Sequence, residues 1–421
     1  MALKIPTPAP CSECGDGAIF HRLTYTTLLI DESIGWIVGI SSEPTFKKPG
    51  AFERFVQGIE RRVTPYILEA LMKTPLATRV TAPDDETQLL AIMIWQEAQK
   101  RGIEVAEFRL GGLARNIFTA KLPNGRKIAF EGIPLPIADM DRVRWMDDKA
   151  VLKTAFRKLD IPVARGGAAM TLATALKIYR SLEAPVIVKP YLGSASRHTI
   201  LHIDSEEKLA RAFTIATQVA PRAVIEEELV GPVYRATVVD GKLAAVLRRD
   251  QPYVLGDGVH TVTELVADAN MHPKRQGPYF HHIKLDAVAD EELAWQGLTR
   301  DSVPEEGRRV TLHQKINWSV GGTTADVTDD VHPDNVALFE YVAQTLRATI
   351  AGIDFIIEDI AKSWKEQKRC GVLECNSMPF FDNHHLPFEG EPRDVAKAIW
   401  DMNYASYGLN SDEDSGAVAG R

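Results

Sequence analysis

Gly371-Val372-Leu373-Glu374-Cys375-Asn376-Ser377-Met378-Pro379, near the C-terminal end, is the stretch on which the reading of the chain turns. Val372, Leu373 and Cys375 are apolar and suit a buried strand. Glu374 and Asn376 stand at i and i+2, which puts both side chains on one face of a strand. A carboxylate beside an amide oxygen is a hard donor set, suited to Mg²⁺. Asp354 lies upstream in a second apolar run, Ile353 to Ile357, and completes the set if the two strands are neighbours. Mg²⁺ held by so few protein ligands usually carries phosphate oxygens too. Taken locally, the same pattern also fits an edge strand with two solvated polar residues.

The rest of the chain bears on that choice. Its 421 residues suffice for roughly two to four domains. Lys and Arg number 49 against 57 Asp and Glu, a net charge of −8, which gives no support to nucleic-acid binding. No apolar run is long enough to span a bilayer, and the opening Met1 to Pro10 lacks the apolar core of a secretion signal. A protein of the reducing cytoplasm is expected. Cys11 and Cys14 form one CxxC, a zinc or redox signal, but a structural zinc needs four ligands. Cys370 and Cys375 are far away in sequence.

In chain order, Ala18 to Ile30 and Ile34 to Ile40 read as a hairpin around Asp31-Glu32-Ser33. Phe52 to Leu71 has mixed helical periodicity, and no chemistry is assigned before residue 81. Thr87 to Arg101 has a helical apolar face and stops at Gly102. Strands follow near Val105 and Ile117, with a turn at Asn124-Gly125. Asp147-Asp148 caps a helix through Leu159 that puts Lys149 and Lys153 on one face. Pro185 to Pro190 is a short buried strand ending at Lys189, followed by a polar loop with Gly193, Ser194, Ser196 and Arg197. Asp204-Ser205 caps the next helix. Val224 to Leu229 is an acidic strand, and Tyr234 to Arg249 a hairpin across Asp240-Gly241. Residues 250–310 read as loop-rich around a helix from Thr263, with a basic, histidine-rich piece from His272 to Lys284 that suits an acidic partner or merely solvent. Pro333 to Ala351 reads as one helix ended by Gly352, and the residues from Ser411 on as a disordered tail.

A strand-terminal lysine before a small-residue loop can neutralise phosphates while loop amides donate to them. Glu226-Glu227-Glu228-Leu229 suits an adenine-binding linker, or equally an acidic edge strand. The order of the pieces is more specific than any one: lysine helix, Val-Lys-Pro strand and loop, acidic strand with hairpin, then Asp and Glu-x-Asn. In that order the chain resembles the ATP-grasp superfamily. Within it, the likeness is nearest to the ATP-grasp part of cyanophycin synthetases and related amino-acid and peptide ligases. It is carried by Gly256 to Leu265, Ile283 to Asp286, Gln296 to Thr299, Asn317 to Thr323, Asp326 to Asp329, His332 to Asn335 and Ala351 to Asp354.

The resemblance implies an α+β ATP-grasp fold, two α/β subdomains sandwiching ATP, preceded by an N-terminal α/β domain. It divides the chain into an unassigned region 1–80, a domain 81–144, a lid 145–222, a C-terminal subdomain 223–408 and a tail 409–421. By the same token Lys189, with Lys149 or Lys153, holds the α- and β-phosphates, helped by Ser194, Ser196 and Arg197. Glu226 and the Glu228-Leu229 backbone meet adenine. Arg235 sits by the nucleotide or the substrate carboxylate, and Asn317 with Gly321-Gly322 flanks the γ-phosphate. Arg235, Asn317 and Lys189 are the implied catalytic groups. Asp354, Glu374 and Asn376 hold Mg²⁺, two ions, with Mn²⁺ as an alternative. The implied chemistry is carboxylate–amine ligation through an acyl phosphate, giving ADP and phosphate, on small-molecule or peptide substrates. A homo-oligomer is compatible with it.

Four departures stand against the pattern. The phosphate loop, Gly193-Ser194-Ala195-Ser196-Arg197-His198, has one glycine where relatives have several. The ribose-binding carboxylate falls at Val233. An expected arginine pair is His313-Gln314, and the Mur-ligase-like half of a cyanophycin synthetase does not follow. The glycine-poor phosphate loop motivates the alternative function, a degraded ATP-grasp protein that binds nucleotide as a regulatory or scaffolding subunit.

Overall fold

The computed structural model describes residues 20–38, 51–135, 149–183, 185–191 and 198–407. Two helices come first, α1 (His21–Val38) and α2 (Ala51–Leu71). The first is a correction: residues 21–38 form one helix where a hairpin is expected. Thr24, Thr26, Thr27, Ile30, Ile37 and Val38 favour strand only weakly, and a hairpin of marginal stability needs a sheet to join.

Four strands then pair antiparallel in chain order: β1 (Ala77–Val80), β2 (Glu104–Leu110), β3 (Leu113–Lys121) and β4 (Lys127–Glu131). Helix α3 (Leu89–Lys100) covers them with Leu90, Ile94 and Trp95, and Gly102 follows at φ +66°. The expected division at residue 80 would cut β1 away from this sheet.

Helix α4 (Lys149–Arg157) precedes a second antiparallel sheet, made of β5 (Gly166–Ala169), β6 (Val186–Pro190), β7 (Ile200–Ile203) and β8 (Ala223–Glu227). Its order is β5-β8-β6-β7. Helices α5 (Leu172–Tyr179) and α6 (Glu206–Ala216) fill one face with Ala175, Leu209, Ala212 and Phe213. Ser205 caps α6 by accepting from the Lys208 N–H at 3.3 Å. β8 lies inside this sheet, so the expected division at 222/223 runs through it. Helix α4 buries Leu152 and Phe156 in the core of the next sheet, with Val372 and Cys375.

That next sheet has five antiparallel strands in the order β13-β10-β9-β14-β15. They are β9 (Val233–Val239), β10 (Lys242–Asp250), β13 (Thr323–Asp326), β14 (Ile350–Ile356) and β15 (Gly371–Asn376). Between β10 and β13, residues 251–312 are not merely loops. β11 (Tyr253–Leu255) pairs with β12 (Arg309–Thr311), and helices α7 (Val262–Asn270) and α8 (Ala287–Trp295) gather around Val262, Val266, Leu293 and Val310. Helix α9 (Pro333–Leu346) packs Phe339, Val342 and Leu346 under one face of the large sheet. It ends earlier than expected, at Arg347 with φ +53°, and Gly352 lies inside β14. The apolar spacing through Ile350 continues into a buried strand, where periodicity no longer separates helix from strand.

A short helix α10 (Asp382–His385) and helix α11 (Val395–Ser406) close the chain. Trp400 donates its indole N–H to the Ile94 carbonyl at 2.9 Å, tying α11 to α3 and the N-terminal sheet. Among the described residues no helix is long and apolar enough to cross a membrane.

Candidate active site

The open face of the five-stranded sheet carries the polar set. Antiparallel pairing puts Asp354 directly opposite Glu374 on one side and Arg235 on the other. Asn376 lies opposite Gly352, two residues along and on the same face as Glu374. The opposite face, with Tyr234, Ala236, Ile353 and Phe355, is sealed by α9. Alternation along the strands thus sorts one apolar and one chemical surface.

Asp354 is 4 % exposed. Its carboxylate accepts from Arg235 Nε and from Arg235 Nη2 at 3.0 Å, and from Arg249 Nη1 at 3.3 Å. Burial works against the charged form, but the Arg235 and Arg249 guanidiniums hold Asp354 below the usual carboxylate range. The Glu374 side chain is within hydrogen-bonding reach of Asp354, and its charge also acts on Arg235 and on Lys189. Two carboxylates therefore meet among three cations. Arg235 grips Asp354 rather than standing free, and Arg249, not singled out by the sequence reading, shares the task. The hairpin register could have found it, since Arg249 is two residues from Leu247, the partner of Arg235.

The second part of the site comes from the four-stranded sheet. Glu226, 2 % exposed, accepts from Lys153 at 2.5 Å and from Lys189 at 2.8 Å through the same oxygen. Glu226 is expected at adenine; in the structure it is the counter-ion of the two lysines. Burial raises the Glu226 carboxyl, but Lys189 and Lys153 bring it down to about 2. Burial and the neighbouring Lys189 charge push Lys153 down to about 7. Lys189 is raised: burial opposes its charge, and Glu226 outweighs burial. Of the two lysine alternatives, Lys153 reaches Glu226, while Lys149 opens α4.

The linker after β8 is anchored by its backbone. The Glu228 N–H donates to the Pro185 carbonyl at 3.1 Å, and Arg369 donates to the Glu228 carbonyl. Among the described residues the Leu229 N–H makes no backbone hydrogen bond. The Glu228 carboxylate turns to His202, at 3.1 Å from its N–H and 3.0 Å from Nδ1. Asn317 spends its amide oxygen on the Ser319 N–H at 2.9 Å and caps a single 3₁₀ turn. Gly321 follows at φ +94°, where a Cβ would fall 2.8 Å from Ile283 Cα. At Gly322 a Cβ would meet the Asn317 and Asp250 carbonyls at 2.8 and 2.9 Å. Arg249 also donates to the Ile316 carbonyl at 3.4 Å, linking this turn to Asp354.

Cys11, Cys14, Gly193, Ser194, Ser196, Arg197, the Asp147-Asp148 cap and the tail from Ser411 lie outside the described residues. Val233 opens β9, with no carboxylate to offer a ribose. Among the described residues no cluster of three or more His, Cys, Asp or Glu could hold a metal. The donor set is instead two adjoining carboxylates and an amide, which fits an ion that completes its shell with water and phosphate oxygens.

Comparison with known proteins gives related findings. No family model matches the chain. Cyanophycin synthetase of Nostoc sp. is 33% identical over 282 residues, which cover 64% of this chain and 30% of that protein. A bifunctional glutathione biosynthesis protein of Clostridium perfringens is 29% identical over 324 residues, 75% of this chain and 40% of the relative. The chain thus spans well under half the length of these curated relatives. The crystal structure of a bifunctional glutathione synthetase from Pasteurella multocida superposes with a TM-score of 0.57 at 25% identity, covering 76% of this chain and 44% of the other.

Proposed function

We propose that this chain, an ATP-grasp protein by its fold and similar to cyanophycin synthetases, is an ATP-dependent carboxylate–amine ligase. It joins an amino acid or peptide to an amine with release of ADP and phosphate. The observation that carries this reading is the meeting of Asp354 and Glu374 across β14 and β15, beside Asn376, with Lys189 of the other sheet close enough to feel the Glu374 charge.

Lys153 and Lys189 bind the α- and β-phosphates. Glu226 keeps them together and part-neutralised until the triphosphate takes over as their partner. Leu229 offers its N–H to the adenine edge, beside the fixed Glu228 backbone. Asp354, Glu374 and Asn376 would hold Mg²⁺. When bound, the ion offsets charge on the β- and γ-phosphate oxygens. Arg235 and Arg249 fix Asp354 in place, so the donor set is oriented before substrate arrives. The Asn317 turn and Gly321-Gly322 bring backbone close to the γ-phosphate. A substrate carboxylate oxygen attacks the γ-phosphorus, and the β–γ bridging P–O bond breaks to release ADP. An amine nitrogen then attacks the acyl carbon, the C–O bond to phosphate breaks, and the nitrogen loses a proton. Such transfer depends on positioning and charge, so the site needs no protein nucleophile.

The number and identity of the ions, the cytoplasmic location and a homo-oligomeric state belong to the same reading. A phosphate-release screen over amino acids and short peptides, with ATP and Mg²⁺, tests it. Release that needs both an acid and an amine is the expected result. Release that needs neither would overturn it.

A further inference from the structure

Two buried polar atoms beside this site are left without partners among the described residues: Asp382 Oδ1 and His384 Nδ1. Both sit on the short turn after Pro379, and Pro379 presses on the same sheet face. A Cβ at Gly352 would lie 2.6 Å from Pro379 Cβ and 3.3 Å from Arg235 Nη1. His384 is fully buried, and its Nε2 meets Thr237 Oγ1 at 2.7 Å. Thr237 is two residues from Arg235 on β9 and opposite Gly352, hence on the face that carries Asp354. Asp382 is close enough to Arg235 for the guanidinium charge to act on it. The turn therefore borders the Asp354–Glu374 set, where the apolar and polar parts of the face meet.

Buried acceptors without donors are rare and costly, so such a pair at a reaction site points to a ligand. The other groups of the site are equally shut in: Arg235 is 7 % exposed and Lys189 9 %. Burial therefore does not set Asp382 apart from groups that must meet substrate. The Asp382 carboxyl is raised by burial, which hydrogen bonds from the Asp382 and Asn383 backbone N–H groups and the charge of Arg235 only partly offset, while Oδ1 itself has no partner. His384 is held neutral down to about 3 by burial and by the charges of Arg235, His385 and Arg249. In the tautomer that donates Nε2–H to Thr237 Oγ1, Nδ1 is an acceptor. A carboxylate and a neutral imidazole nitrogen side by side suit N–H donors.

We propose that Asp382 Oδ1 and His384 Nδ1 receive the amino group of the attacking substrate, a primary amine that arrives as its ammonium. This selects a cationic amine over an uncharged nucleophile; the ammonium gives one proton to the Asp382 carboxylate, and the freed lone pair attacks the acyl group near Arg235. The assignment rests on the ligase reading above and adds to it the site of the second substrate.

The test compares two nucleophiles on the full chain with the acid found by the phosphate-release screen. One is the standard L-amino acids, tried singly, and the other hydroxylamine, which is uncharged at neutral pH. In Asp382→Asn, kcat/KM for the amino-acid nucleophile should fall roughly thirtyfold or more, as expected for losing one partner of a buried charged contact. The loss should appear mainly in KM. The KM for ATP and the rate of hydroxamate formation should stay within about twofold of wild type. If Asp382→Asn melts well below wild type, Asp382→Ser, which also removes the charge, is read the same way. An equal loss with both nucleophiles, or none with either, would overturn the assignment while leaving the ligase reading intact. Failure of the wild type to turn over any acid would remove the ligase reading and this assignment with it.

Discussion

Replacing Glu226 by Gln removes the charge between two lysines that the fold has buried together. Lys153 and Lys189 reach one carboxylate oxygen at 2.5 and 2.8 Å, so their nitrogens lie within about 5 Å of each other. At an effective dielectric of about 20, two positive charges that close repel by ~3 kcal/mol. All three groups are under one-tenth exposed, so solvent does little to screen them. Breaking a buried pair by removing one partner costs about 3–5 kcal/mol, which agrees in size. At pH 6 the variant should therefore melt at least roughly 5 °C below wild type, since each kcal/mol moves a domain of this size by about 2–4 °C. The sign with pH follows from Lys153. A lysine lowered to about 7 binds fewer protons folded than unfolded, so its penalty is full below pH 7 and relieved as pH rises toward 10.5. The variant's deficit should shrink between pH 6 and pH 9. ATP with Mg²⁺ should raise its melting temperature more than that of the wild type, because phosphate supplies the missing negative charge. An unchanged melting temperature at pH 6, or an ATP shift no larger than that of the wild type, would refute the idea that Glu226 holds the lysines for phosphate.

Other outcomes follow from the same geometry. Glu374→Gln should fold normally by circular dichroism yet lose turnover by about a hundredfold or more, because an oriented charge at the transferring group is worth several kcal/mol; near-normal turnover would remove Glu374 from the metal set. With Val233 where a ribose-binding carboxylate is expected, kcat/KM should differ by less than about tenfold between ATP and 2′-deoxy-ATP; a larger preference would show that another residue holds the ribose. At pH 8 Lys153 is largely neutral, and the triphosphate raises its affinity for a proton, so ATP binding should take up protons; calorimetry in buffers of different ionisation enthalpy reads this, and proton release would contradict it.

The strand pair at the centre was legible because Asp, Glu and Asn interrupt apolar runs, and alternation fixes which way they face. Whether Asp354 met Glu374 depended on which strands were neighbours, and that is set by long-range pairing, not by local pattern. Glu226 was legible as a special residue, but its contacts with Lys153 and Lys189 were not, since these partners lie on α4 and on β6, far away in sequence. Arg249 and the Thr237–His384 contact went unread for the same reason. They are made across strands and across the closing turn, where no spacing rule reaches. The helix α1 was misread because its β-branched residues carry weak preferences that other forces override. Apart from the helix from Thr263, which the structure has as α7, residues 251–312 looked loop-like because their small core is assembled from short pieces.

The most direct test is the fate of ATP when the acid found by the phosphate-release screen is turned over with hydroxylamine as the trapping amine. The proposed site, with Lys153 and Lys189 at the α- and β-phosphates and Asp354, Glu374 and Asn376 holding the ion at the β–γ bridge, would set charge stabilisation where ADP leaves. The account predicts one hydroxamate and one ADP per turnover, with phosphate and no pyrophosphate. AMP with pyrophosphate would place the reaction at the α-phosphate and contradict the roles given to these residues.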